Sequence, residues 1–201
     1  MRRKIPEEAL DALAPEVLLL AYSEGVFPMG DEESDEINWY RPDPRAVIPL
    51  DGFHVSRRLR RTIDSGRFHV TFNQDFSAVV RSCAEGRPMW LTPRIETAYT
   101  RLHRDGHAHS VEVWRKEGLV GGLYGVQVGA AFMAESKFHR ETDASKVALA
   151  KLVERLNDRS FEILEVQYLT DHLAQFGAVE VPLAKYLENL RRATPKSPVF
   201  T

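Results

Sequence analysis

The first sustained apolar register follows Pro15, where Val17, Leu18, Leu19, Leu20, Ala21 and Tyr22 come close together before Gly25. Pro near the first turn and Gly at the end predict a helix there, with Leu18, Leu19 and Tyr22 on its buried face. The acidic stretch Asp31 to Glu36 breaks the periodicity and reads as a solvated loop, and Trp39-Tyr40-Arg41-Pro42-Asp43-Pro44-Arg45 then enters a short strand over 46–49. A second helix spans 55–65 with Gly66 as its stop, followed by a strand over 68–72 and a helix over 76–83. These elements make a small N-terminal α/β unit, with a domain boundary after residue 66 or within 67–105.

From His109 the pattern changes to strands: 110–114, a turn at Glu117-Gly118, 119–128, a turn near Gly129, and 130–136. This is an antiparallel meander. Asp143-Ala144-Ser145 opens a long amphipathic helix that turns Val147, Leu149, Leu152, Val153 and Leu156 inward, and 161–167 returns as a strand. Helices near 171–176 and 183–192 close the pattern. No internal repeat or low-complexity tract interrupts it, so the expected class is α+β, with residues 67–201 forming a C-terminal domain around an antiparallel or mixed sheet.

At 201 residues, with 43% hydrophobic and 28% charged positions, the chain can bury a real core. Met1-Arg2-Arg3-Lys4 could open a secretory signal, but Ile5-Pro6-Glu7-Glu8 stands where an apolar run is required, so the expected location is cytoplasmic. Cys83 is the sole cysteine, which excludes an internal disulfide and a thiolate metal cage and makes it a packing residue. A formal net charge of -2 argues against indiscriminate nucleic-acid binding, so charge must be read locally. Arg57-Arg58-Leu59-Arg60-Arg61 is such a place: helical spacing sets Arg57 beside Arg60 and Arg61 while Leu59 turns inward. That stripe is either a solvated face or a phosphate-binding one.

No nucleotide-binding glycine fingerprint is present, because Gly121-Gly122-Leu123-Tyr124-Gly125 lies inside a strand pattern, where glycines mark a bulge or a close backbone approach. His103, His107 and His109 lack a carboxylate at ligand spacing and read as structural rather than metal-binding, and no serine occupies a nucleophile elbow. Glu165 and Gln167 are alternate residues of a strand and would share one face, as a satisfied hydrogen-bond pair or as acceptors facing a substrate. Glu135 sits near aromatic side chains at the end of another strand. It could fix a substrate amine or pair with Lys137 or Arg140; the two readings stand level.

Several ordered strings resemble the leucyl/phenylalanyl-tRNA-protein transferase family of the bacterial N-end rule pathway. They are Ala21 through Pro28, Trp39 through Arg45, Ala98 through Trp114, Gly121 through Gly125, Glu135-Ser136, Ala144-Ser145-Lys146, and Gln167 with Asp171-His172-Leu173. The resemblance runs from about Leu18 to the final helix. It implies a C-terminal domain like the acetyltransferase (GNAT) fold, no cofactor, no metal, and a monomer that takes Leu, Phe or Met from aminoacyl-tRNA to a protein bearing N-terminal Arg or Lys. Gln167 would accept from the attacking amine and Glu165 would orient it and help carry the departing proton. Trp90 and Tyr40 would support the terminal adenosine. Phe132, Leu149, Leu152 and Leu156 would surround the transferred side chain, with Tyr99, Glu135, Ser136 and Lys137 also in the substrate site, and Arg57, Arg60 and Arg61 would meet the tRNA.

The chain departs from the family pattern at Met29 for Trp, Ala134 and Lys137 in a string usually Gly-Glu-Ser-Met, Glu165 for Asp and Thr170 for Asn. Lys137 bears on the donor, because an unpaired ammonium is costly in an apolar pocket. Three alternatives accompany the transferase reading: a changed donor amino acid, a non-catalytic protein that binds tRNA or protein N-termini, and an acyl-CoA N-acyltransferase. The last lacks its pyrophosphate loop, since Phe138-His139-Arg140-Glu141-Thr142 precedes the long helix.

Overall fold

The computed structural model describes residues 12–31, 36–85 and 91–201. Helix α1 (Pro15–Ser23) begins with its proline in the first turn, and Gly25 follows at φ 73°. Leu18 and Tyr22 are buried, Leu19 is half-buried and Leu20 is exposed. A hairpin of β1 (Phe27–Gly30) and β2 (Ile37–Tyr40) comes next; the sequence pattern did not show it, because Pro28 and Gly30 read as strand breakers.

Strand β3 (Arg45–Ile48) leads through a 3-10 turn to α2 (Arg57–Asp64), capped by the Ser56 hydroxyl accepting from the Leu59 N–H. Then follow β4 (His69–Phe72), α3 (Phe76–Ala84) and α4 (Pro93–Arg104), the last two capped by Asp75 and Thr92. The meander is β5 (Ala108–Arg115), β6 (Gly118–Val128) and β7 (Ala131–His139). Helix α5 (Ala144–Asp158) crosses to β8 (Ile163–Glu165), and α6 (Asp171–Ala174), β9 (Val179–Val181) and α7 (Leu183–Ala193) follow.

Seven strands form one mixed sheet in the order β4-β5-β6-β7-β8-β3-β9. It is antiparallel except for β7 and β8, which the α5 crossover makes parallel. β3, from the segment expected to stand as an N-terminal unit, pairs with both β8 and β9 in this sheet. Helices α1, α3, α4 and α7 pack over one apolar cluster, and α2, α5 and α6 over another. Close approach at α5 depends on Gly121, where a β-carbon would lie 2.6 Å from the Ala144 methyl. Cys83 is buried within the first cluster. Among the described residues, no helix is long and apolar enough to cross a membrane.

Candidate active site

The site exists because two parallel strands part. β7 and β8 are paired only from Ala131–Ile163 to Met133–Glu165. Beyond that point β7 continues along β6, while the chain after Glu165 stays with β3, the Val166 N–H donating to the Ala46 carbonyl and the Ala46 N–H to the Gln167 carbonyl. The gap is a cleft of about 300 Å³. Ala134 through Lys137 line one side, Val166, Gln167, Tyr168 and Thr170 the other, and Leu123, Leu149 and Leu173 give it an apolar wall. A second hollow of about 200 Å³, bounded by Phe27, Pro28 and Met29, shares Glu135, Ser136, Gln167 and Tyr168 with the first.

A bulge aims Glu135. Tyr124 pairs with Ser136 but Gly125 with Ala134, so Glu135 has no cross-strand partner and its backbone turns out of register. Gly125 permits this, as a β-carbon there would lie 2.3 Å from the Met133 carbonyl. The Glu135 carboxylate accepts from the Tyr99 hydroxyl at 3.2 Å and the Gln167 side-chain N–H at 3.3 Å, and Tyr99 shares a 2.7 Å hydrogen bond with Tyr22. With its N–H directed at Glu135, the Gln167 amide has its oxygen left to accept from elsewhere. Arg140, one expected partner for Glu135, instead bonds Glu85 and Ser82.

Gln167 does not share a strand face with Glu165, because β8 ends at Glu165 and Gln167 adopts φ 57°, in the left-handed region. The two meet through the backbone: the Gln167 N–H donates to Glu165 Oε1 at 2.5 Å. Such a turn in a residue other than glycine needs support, and this short charge-assisted bond supplies it. Glu165, 1% exposed, also lies 3.2 Å from Arg45 Nε.

Burial and then the neighbouring Glu165 charge push Glu135 up to about 8, against partial relief from the tyrosine hydroxyls. Burial also raises Glu165, to about 7, with Arg45 and the Gln167 N–H opposing it. Both carboxyls are thus held above the ordinary carboxylate range, Glu135 in the cleft lining and Glu165 in the buried layer that contacts the Gln167 backbone.

The other expected site residues are placed as follows. Ser136, Lys137 and Leu149 line the main cleft. Phe132, Leu152 and Leu156, expected around the transferred side chain, are instead fully buried in the core cluster that holds Leu149 and do not line the cleft, and Tyr99 is buried and bonds Glu135. Tyr40 is exposed on β2 and stacks on Phe27 at 6.1 Å, across from Tyr168. Arg57, Arg60 and Arg61 project from α2 into solvent while Leu59 is buried, and Arg58 reaches Asp143 at 3.6 Å. Trp90 lies outside the described residues. Of the histidines, His103 bonds the Ala108 carbonyl, and His109 is held between Asn73 and Gln127. Sequence reasoning missed Arg45 and Tyr168. Arg45 could have been found, since an arginine at the mouth of the apolar run Ala46-Val47-Ile48 needs a buried acid to meet it.

A largely apolar cleft in a mixed α+β sheet, lined also by a carboxyl and an amide side chain, has the groups to hold an apolar chain and an amine together. The chain belongs to the leucyl/phenylalanyl-tRNA protein transferase family: the family model matches residues 47–191, and the model of that family's N-terminal domain matches residues 11–43. It is 47% identical over 188 residues to the leucyl/phenylalanyl-tRNA–protein transferase of Salinibacter ruber, covering 94% of this chain and 83% of that one. It is 49% identical to those of Ruegeria pomeroyi (90% and 87% covered) and Akkermansia muciniphila (91% and 97%). Among solved structures, L-PGS from Bacillus licheniformis is loosely similar at 13% identity and TM-score 0.45, over 79% of this chain and 55% of that one. A GCN5-related N-acetyltransferase-like protein from Streptococcus suis is loosely similar at 14% identity and TM-score 0.42, over 83% and 63%.

Proposed function

We propose that this chain takes Leu, Phe or Met from aminoacyl-tRNA and joins it to the α-amine of a protein beginning with Arg or Lys, marking that protein for N-end rule degradation in the cytoplasm. The observation that carries the reading is the cleft itself: an apolar wall of Leu123, Leu149 and Leu173 that ends on Glu135 and Gln167. An apolar side chain on the wall sets its ester carbonyl beside the groups that hold an amine.

The reaction forms the amide C–N bond as the ester C–O bond to the tRNA ribose breaks. The proton lost by the amine replaces the acyl group on the ribose oxygen. An aminoacyl ester is already more reactive than the amide that replaces it, so positioning outweighs strong acid or base chemistry. The neutral amine donates an N–H to the Gln167 side-chain oxygen, which points its lone pair at the carbonyl carbon. Glu135, raised to about 8, is matched to an α-amine, whose ordinary pKa is roughly 7.7 to 8.0, and can take a proton from an ammonium entering beside it. Its carboxylate also favours a cationic Arg or Lys at the acceptor N-terminus. Glu165 is too deeply buried to touch substrate and orients Gln167. The exposed rings of Tyr40 and Tyr168, both packed on Phe27, give the terminal adenosine a stacking surface, and Arg57, Arg60 and Arg61 meet tRNA phosphates.

Lys137 on the cleft wall supports a second reading, in which the donor is not an apolar amino acid. One assay separates the two. The protein is incubated with an N-terminal Arg or Lys model substrate and tRNA charged with each labelled amino acid in turn. Transfer of Leu, Phe or Met is expected; transfer of another amino acid makes Lys137 a specificity determinant, and no transfer from any tRNA overturns the proposal.

A further inference from the structure

Arg45 occupies an unusual place for an arginine: it is 2% exposed, at the start of a central strand, and its charge meets the buried Glu165. The guanidinium is held by one hydrogen bond, one ion pair and two ring contacts, and its Nη1 is buried without a hydrogen-bond partner. Nε lies 3.2 Å from Glu165 Oε1, Nη2 donates to the Gly25 carbonyl at 2.6 Å, and the plane lies against the rings of Phe27 and Tyr186, 5.1 and 5.0 Å from their centroids. Buried ion pairs seldom add stability over an apolar pair of the same size, so this one asks for another reason. The reason lies one bond further on. The same oxygen that faces Arg45 accepts the N–H of Gln167, the residue that takes the left-handed turn.

We propose that Arg45 is a positioning residue for the transfer reaction: it locks Glu165 in the rotamer that accepts the Gln167 backbone N–H, and so aims the Gln167 side chain at Glu135 and the incoming amine. This rests on the site reading above. The charged and titratable groups facing Glu165 are Arg45 from β3, Glu135 from β7 and Tyr186 from α7. Arg45 is the cation among them and opposes the rise that burial imposes on Glu165. With Arg45 weakened, Glu165 takes a proton at higher pH, and a protonated carboxyl is a poorer acceptor for the Gln167 N–H.

The test compares wild type with Arg45→Lys and with the charge-free pair Arg45→Met/Glu165→Gln, reading kcat and donor KM from pH 5.5 to 9 together with Tm. Lysine keeps the charge but cannot make the forked contact to Glu165 and Gly25 at once. Arg45→Lys is expected to lower kcat about tenfold or more, with donor KM little changed, and to move the acid limb of kcat up by roughly one pH unit. The double variant, with no buried charge left unpaired, keeps the fold, stays slow and loses the part of the limb that Glu165 contributes. Ionisation of the acceptor amine is common to all three enzymes, so differences between their profiles report the protein. A wild-type kcat and limb in either variant overturns the inference, as does a loss that follows Tm alone and is regained on cooling. Absence of transfer by wild type would instead overturn the proposed function.

Discussion

Phe200 and Arg45 are equally buried, 2% exposed each, in surroundings of opposite character. Phe200 stacks on His109 and Phe132 at 4.3 and 5.5 Å and meets Phe72 and Phe161 edge-on. Even its histidine carries no charge near neutrality, since burial lowers His109 to about 4 and Asn73 and Gln127 hold its ring nitrogens. Around Arg45 lie the buried Glu165 and, at the cleft, Glu135 and a strained glutamine, linked one to the next by hydrogen bonds. The first region gives stability and no chemistry. The second holds charges where desolvation makes their protonation responsive, at a cost in stability that the apolar clusters offset.

The comparison breaks most sharply at Phe200. Phe200→Ala should lower unfolding free energy by about 3–5 kcal/mol in a denaturant titration while transfer per folded molecule stays close to wild type. A small stability loss, or a folded but inactive protein, would mean that the two regions are not separable. Next in size is the α2 stripe: converting Arg57, Arg60 and Arg61 to Gln should weaken tRNA binding and reduce its salt slope by about 2 to 3, with little change in Tm. A slope equal to wild type would make the stripe a solvated face.

Protonation gives a smaller, signed effect. Glu135 and Glu165 are raised to about 8 and about 7, so between the ordinary carboxylate range and pH 8 the folded state binds more protons than the unfolded chain. Stability therefore falls as pH rises through that window, by about 2–4 °C in Tm for each kcal/mol. Glu135→Gln should flatten the fall in thermal melts from pH 5 to 8.5; an unchanged slope would place the shift elsewhere. Smallest is Lys137→Met, expected to raise the preference for apolar donors a few-fold in competition assays, in line with about 1 kcal/mol at a partly open wall.

Long periodic elements were legible in the sequence. The meander and α5 stand close to where the apolar spacing set them, because eight or more residues carry the period. The hairpin β1–β2 was not legible, because Pro28 and Gly30 stand inside β1, and β9 was not, being three residues long. Of the candidate site, Glu165 and Gln167 were singled out by a strand-face argument that the chain does not follow. Their meeting depends on β8 leaving β7, on the bulge at Glu135 and on a left-handed turn, and these are set by tertiary pairing rather than local pattern. The donor-side residues divide in the same way: Leu149 reaches the cleft, while Leu152 and Leu156 on the same helix and Phe132 on β7 are buried in the core and do not line it.

The account turns on the Gln167 amide, and single-turnover transfer by Gln167→Ala measures it directly, with aminoacyl-tRNA binding followed on the same protein. Transfer should fall by about 10² or more while tRNA affinity and Tm remain near wild type; transfer at the wild-type rate would contradict the central claim.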